Sequence, residues 1–227
     1  MVSTAYKTIL STRNAHKVQE FHEILAPLGF DISPLTDVVP DAASIEETGA
    51  TFLDNAVLKA AGAWQLTGMP SLADDSGLCV DALDGAPGLF SARWAGGDDE
   101  DNNDKLLAEL VGVPDTHRGA HYMCAIALVV SNEFLGSRRC PGLHLTHPLL
   151  PDGAVLIEAE GRVYGRIGHE RQGVQGFGYD PLFFVPKLHQ TFAEVPAAIK
   201  HEISHRGVAL RMLRERLGHL TESSVGA

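Results

Sequence analysis

The sequence predicts an α/β fold, built as one large domain or two closely joined lobes, and three observations lead there. Short apolar runs alternate with segments of helical period and show no internal repeat. The 227 residues have a mean hydropathy near zero and are long enough to bury a core. The run Leu72-Ala73-Asp74-Asp75-Ser76-Gly77 places two adjacent carboxylates where an apolar strand is expected to stop at a sharp turn. The carboxyl end of such a strand is the usual ligand-facing edge of an α/β sheet.

In chain order, Thr8, Ile9 and Leu10 predict a short buried strand. Asn14 is placed to cap a helix whose apolar stripe is Val18, Phe21, Leu25 and Leu28, so a strand-to-helix turn falls at 11–17. A second helix begins near Thr48 or Thr51 and runs to about Leu66, before a strand at 70–73 that delivers the aspartates. Acidic residues 98–104 open a third helix carrying Leu106, Leu107 and Leu110, with the negative first turn matching the helix dipole. Apolar strands follow at 120–131 and 154–167, separated by a Gly- and Pro-containing surface excursion at 135–153. Gly176 to Pro181 leads into a strand at 182–185. Ser204 caps a final helix carrying Val208, Met212 or Leu213, and Leu217, and the tail from 218 is expected to fray.

Composition removes several function classes. A net charge of −11 argues against a non-specific nucleic-acid binder, which needs a basic stripe. It leaves room for an anionic substrate, because a few local cations and a metal ion reverse the field inside one site. No run approaches the length of a membrane span, and Met1 to Lys7 lacks the pattern of an export signal, so a cytoplasmic protein without a membrane partner is expected. Cys79, Cys124 and Cys140 are odd in number and widely spaced, which predicts buried reduced thiols rather than a disulfide framework or zinc site.

Five places break the structural patterns. In Ser11-Thr12-Arg13-Asn14-Ala15-His16-Lys17, helix N-terminal amides, the Asn14 side chain and the Lys17 ammonium can converge on phosphate oxygens, although the stretch also reads as a capped helix with a solvated lysine. Glu46-Glu47-Thr48 precedes Phe52, Asn55 and Lys59 at i, i+3 and i+7. That stripe mixes an amide and an ammonium with an aromatic ring; it faces a polar site, or else Lys59 simply snorkels. Asp74 and Asp75 suit a hard cation and the activation of water, with Ser76 beside a phosphoryl oxygen; an ordinary Asp-Ser-Gly turn is the alternative. Phe177-Gly178-Tyr179-Asp180 offers a stacking face and a carboxylate to a heterocyclic base, or forms a glycine-rich hairpin around a core phenylalanine. Lys200 and Ser204-His205-Arg206 cluster cations at a helix start, where the dipole gives them no help; they serve a ligand or merely charge the surface.

Together these stretches resemble one family over nearly the whole chain, the inosine/xanthosine triphosphate pyrophosphatases of the Ham1 or RdgB type. The resemblance rests on Thr12-Arg13-Asn14-Ala15-His16-Lys17, Glu46-Glu47-Thr48-Gly49 with Phe52, Asn55-Ala56 and Lys59-Ala60, and Ala73-Asp74-Asp75-Ser76-Gly77-Leu78. It continues through Gly88 with Ser91-Ala92-Arg93, Gly176 to Pro181, and Ser204-His205-Arg206-Gly207. Arg13 replaces a common glycine, Trp94 a common tyrosine, and the excursion at 135–153 is additional.

The resemblance implies an elongated α/β fold in a single domain, a long mixed sheet with flanking helices, and two lobes around a nucleotide cleft, usually as a homodimer. It implies Mg²⁺-dependent hydrolysis of ITP, dITP or XTP between the α- and β-phosphates as house-cleaning of the nucleotide pool. By position, Asp75 resembles the general base and a metal ligand, Glu47 a second ligand, with Asp74 and Glu46 the remaining candidates. Thr12, Arg13, Asn14, Ala15, His16, Lys17 and Lys59 resemble the triphosphate grip, and Ser76 a substrate contact. Phe177, Gly178, Tyr179, Asp180, Lys200, His205 and Arg206 resemble the base pocket. An oxygen at C6, accepting a hydrogen bond donated by Arg206 or Lys200, would separate hypoxanthine and xanthine from adenine, whose amino group would face donor against donor. Exclusion of guanine needs a group near C2 that the sequence does not display. A Maf-like pyrophosphatase acting on pyrimidine or modified nucleotides, and a non-catalytic nucleotide sensor, are the rival functions.

Overall fold

Strand β1 (Tyr6–Leu10) buries Thr8, Ile9 and Leu10 and is followed by α1 (Ala15–Leu25), whose buried face carries Phe21 and Leu25. The computed structural model describes residues 6–12, 15–135, 140 and 142–222, with the backbone alone described at 15, 16, 28 and 219–222. The cap expected at Asn14 lies outside the described residues. A parallel strand unexpected from sequence, β2 (Phe30–Pro34), pairs with β1 and leads into the one-turn helix α2 (Leu35–Val38).

Helix α3 (Phe52–Thr67) is capped by Thr51, the second of the two expected starts: the Thr51 hydroxyl accepts the amide of Asp54 while the Asp54 carboxylate accepts that of Thr51. Gly68, in the left-handed region, ends it. The following strand corrects the expected boundary. β3 runs Ser71–Val80 instead of stopping at 73, so Asp74 and Asp75 lie inside it, not beyond its end. Successive strand side chains point to opposite faces, and each aspartate meets its own lysine, so the charges do not end the strand.

Helix α4 (Asp99–Glu109) has a reciprocal cap between Asp98 and Asp101, and its Leu106 is fully buried. Then come β4 (Gly119–Ser131), the short α5 (Asn132–Leu135), β5 (Leu143–His144) and β6 (Ala154–Ile167). The excursion thus folds partly back, with Leu143 opposite Ile157 and His144 opposite Leu156. β7 (Phe183–Val185) and β8 (Gln190–Thr191) continue the sheet, and α6 (Ala197–Ile203) precedes α7 (His205–Glu222), which extends past the expected end at 218. Among the described residues the sheet has eight strands in the order β2-β1-β3-β4-β6-β7-β8, with β5 on β6; parallel pairs at one edge and antiparallel pairs at the other make it mixed. No helix among the described residues is long and apolar enough to cross a membrane. None of the three cysteines is joined in a disulfide; Cys124 is buried, whereas Cys79 and Cys140 are only half-buried.

The chain falls into two compact units, Met1–Asp75 with Ala125–Glu160 and Ala209–Ala227, and Ser76–Cys124 with Gly161–Val208. In the first, the small residues Ala56 and Ala60 of α3 pack on Ala73, Ala127 and Ala154, so helix and sheet approach closely. The core of the second is larger-grained: Leu78, Leu106, Tyr122, Phe183 and Phe192 pack together, with Tyr122 and Phe183 centroids 4.7 Å apart. A buried guanidinium also holds this unit. Arg118 donates to the carbonyls of Leu110, Ile167 and Gly168 at 2.9, 2.9 and 2.7 Å, tying the end of α4 to the end of β6.

Candidate active site

In the first unit, α3 presents Asn55 and Lys59 one helical turn apart, both on the side that meets β3. Asn55 is 1% exposed and acts in two directions. Its Nδ2 donates to Asp75 Oδ2 at 3.0 Å, and its Oδ1 accepts the Gly49 amide at 2.8 Å. A Cβ at Gly49 would stand 2.4 Å from Asp54 Cβ and 2.8 Å from Asn55 Oδ1, so only glycine lets the chain pass here. That passage delivers Glu47, whose Oε1 accepts from Lys59 Nζ at 2.8 Å; Lys59 also stands 3.5 Å from Asp75. Glu46, by contrast, is exposed. Asp74 pairs with Lys17 of the first turn of α1 at 2.9 Å. Ser11, Thr12, Lys17, Glu47, Lys59 and Asp74 line a cavity of about 220 Å³ in this unit.

The electrostatics follow from burial opposed by pairing. Burial pushes the Asp75 carboxyl up; Lys59 and the Asn55 amide pull it back, Glu47 and Asp74 push it further, and it ends above the ordinary carboxylate value. Burial pulls the Lys59 ammonium down, but Asp75, Asp74 and Glu47 outweigh that, and its pKa ends raised. A half-buried carboxylate that is held by an amide and less acidic than usual is suited to taking a proton from water. The Lys59 ammonium beside it and the Lys17 ammonium on Asp74 suit phosphate oxygens.

In the second unit, Phe177 to Asp180 form a turn whose ring Phe177 is 49% exposed. Lys200, on α6, lies 4.8 Å from that ring's centroid and pairs with Asp180. Burial raises the Asp180 pKa despite the opposing Lys200 charge. Ser204 caps α7 by accepting the Gly207 amide at 3.1 Å. Arg206, 5% exposed, donates to Ser76 Oγ at 3.4 Å. Two expected contacts turn inward. Tyr179 is 3% exposed and donates to the Ser91 carbonyl at 2.9 Å, and His205 stacks on Tyr122 with centroids 4.7 Å apart and planes within 10°.

Comparison with known proteins decides the family, since the Ham1 family model matches residues 8–216. The chain belongs to the Ham1 family. It is 45% identical over 219 residues to a Streptomyces coelicolor protein named dITP/XTP pyrophosphatase, covering 93% of this chain and 99% of that one. Among solved structures, a HAM1 protein from Coxiella burnetii matches with a TM-score of 0.77 at 38% identity, covering 95% of this chain and 98% of its own. The Staphylococcus aureus Ham1 protein matches at 0.76 and 34%, covering 93% and 98%. The mixed α/β fold expected from the resemblance is therefore the Ham1 fold.

Against this Ham1 frame, the structure brings Thr12, Lys17, Glu47, Lys59 and Asp74 to one cavity, with Asp75 beside Lys59. It gathers Phe177, Asp180 and Lys200 in the second unit, where Arg206 stands beside Ser76. Arg13 and Asn14 lie outside the described residues, and Ala15 and His16 are described only as backbone opening α1. Asn55 is the group that reading by motif undervalued: its place on the Phe52 stripe signalled a polar face, but its two hydrogen bonds, to Asp75 and from the Gly49 amide, depend on long-range packing.

Proposed function

We propose that this chain hydrolyses ITP, dITP and XTP to the nucleoside monophosphate and pyrophosphate. The observation that carries the reading is Asp75: a carboxylate inside a sheet strand, held by Asn55 and paired with Lys59, while Lys17 pairs with the neighbouring Asp74; the two lysines can take phosphate charge. Asp75 takes a proton from a water whose oxygen attacks the α-phosphorus. The bond from that phosphorus to the bridging oxygen breaks, and pyrophosphate leaves with the electron pair. Lys17 and Lys59 neutralise the charge that grows on the leaving group, so no covalent nucleophile is required.

The donor set also fits Mg²⁺. Among the described residues no three His, Cys, Asp or Glu side chains form a ready-made metal cluster. Mg²⁺ is normally held by one or two carboxylates plus substrate phosphates, and the hard oxygens of Asp75 and Glu47, with Asp74 nearby, supply such a share. When bound, the ion would neutralise phosphate charge and make its water more acidic. Glu46, being exposed, is the weakest of the four candidates.

For the base, Phe177 offers a stacking face, and Lys200 and Arg206 are the donors available to an oxygen at C6. The proposal includes a homodimer, as the family resemblance implies. It also includes a cytoplasmic setting, supported by thiols at Cys79, Cys124 and Cys140 that form no disulfide. Hydrolysis of ITP in heavy-oxygen water tests the bond: the account predicts label in IMP, and label in pyrophosphate would place the attack on the β-phosphorus and overturn it. Preference for a pyrimidine triphosphate would favour the Maf-like alternative, and tight binding without products the sensor.

A further inference from the structure

The turn carrying Phe177 is held by a helix that no signature of the family resemblance includes. In the first turn of α4, Asp99 Oδ2 accepts the Gly178 amide at 2.7 Å. One turn on, Asn103 Nδ2 donates to the Gly178 carbonyl at 2.9 Å and to the Asp99 carbonyl at 2.9 Å. One helix therefore grips both peptide groups of a single residue 75 or more positions away in the chain. The grip costs something to maintain. Asn103 is 0% exposed, and its Oδ1 has no partner among the described residues, so an asparagine stands where an apolar side chain of similar size would avoid an unsatisfied oxygen.

Neighbouring contacts remove the remaining freedom of the turn. Asp180 Oδ2 accepts the Phe177 amide at 2.9 Å, and Tyr179 is anchored through its hydroxyl to Ser91. Gly178 has φ +61°, a left-handed conformation open to glycine at little cost. With these groups pinned, the backbone that carries Phe177 has a defined course, and its exposed ring stands beside the Lys200 ammonium.

We propose that Asp99 and Asn103 are positioning residues for base recognition: their clamp on Gly178 fixes the Phe177 ring and thereby sets affinity and selectivity for the purine. This rests on the function proposed above. A stacking face displaced by about 1 Å loses contact with a flat base, while proton transfer at Asp75 needs nothing from α4.

The test measures kcat and KM for ITP and ATP, together with amide hydrogen exchange at Gly178, in wild type, Asp99→Ala, Asp99→Asn and Asn103→Leu. Asp99→Ala and Asn103→Leu are expected to raise KM for ITP about tenfold, change kcat by less than about twofold, and lower the ITP-to-ATP selectivity. Asp99→Asn, which keeps an oxygen for the Gly178 amide, should recover most of the loss. Exchange at Gly178 should quicken at least about tenfold in Asp99→Ala. If Asp99→Ala fails to fold, Asn103→Leu, which keeps the buried volume, carries the test. Wild-type KM and selectivity in a folded variant would overturn the proposal, as would a loss in kcat shared equally by both substrates. If wild type hydrolyses no purine triphosphate, the function proposal fails instead, and unchanged exchange at Gly178 then overturns the clamp as well.

Discussion

The Asp75 cluster and the Phe177 turn are both polar and partly buried, but they are built on opposite plans. Around Asp75, charge meets charge: Lys17 with Asp74, and Lys59 with Glu47 and Asp75. Around Phe177 the main chain is gripped, through Asp99, Asn103 and the Asp180 carboxylate on backbone groups. Ion pairs between side chains can re-form with a charged ligand that replaces one partner, whereas a pinned backbone cannot be re-aimed. The first arrangement suits a site whose partners change during a reaction, and the second a surface that must present one shape to a base.

The comparison predicts that substitutions in the first cluster reduce turnover and those in the second reduce selectivity. The largest effect belongs to Asp75→Asn, which keeps the size and the Asn55 contact but removes the proton acceptor. Its kcat should fall by about 10³-fold or more, with a melting temperature close to wild type. Retained turnover in a folded Asp75→Asn protein would break the comparison at its base. Lys59→Met comes next, with kcat reduced on the order of 10²-fold. Because Lys59 is the chief group holding the Asp75 pKa down, the acid limb of its pH–rate profile should also move to higher pH.

Arg206→Ala should act on selectivity, narrowing the ITP-to-ATP ratio of kcat/KM by about tenfold while much of the kcat for ITP remains. A loss equal across all bases would place Arg206 with the catalytic groups. The smallest effect is a titration. Burial raises the Asp75 pKa, so in metal-free protein its carboxyl carbon signal should titrate above the ordinary value of 3.8. Below that midpoint Asp75 is protonated and cannot act as a base, so activity is lost as pH falls through it. Added Mg²⁺ should move the midpoint down, since a cation favours the carboxylate; no movement would remove Asp75 from the proposed metal ligands.

Much of this was legible in sequence because it depends on local signals. The second helix, with Thr51 one of its two expected starts, the acidic opening of α4 at 98–104 and the apolar strands of β4 and β6 follow from side chains close in the chain. The strand carrying Asp74 and Asp75 was legible in its position and misread in its length, since adjacent charges read as an end unless Lys17 and Lys59 are known to meet them. The inward turn of Tyr179 and His205 was hidden for a related reason. Aromatic and polar residues in a signature stretch suggest ligand contacts, but the ring of Tyr122 and the carbonyl of Ser91 that hold these two come from β4 and from the segment after β3. Asn103 gave no sign at all: an asparagine within an acidic helix reads as solvent-facing, and only the fold shows it fully buried against Gly178.

The most direct test incubates the purified chain and Mg²⁺ with ITP, XTP, dITP, ATP, GTP, CTP and UTP, quantifying monophosphate, pyrophosphate and orthophosphate separately. The account predicts pyrophosphate with IMP, XMP or dIMP in equal amounts, and little product from ATP. Orthophosphate as the first product, or equal turnover of ATP and ITP, would contradict it.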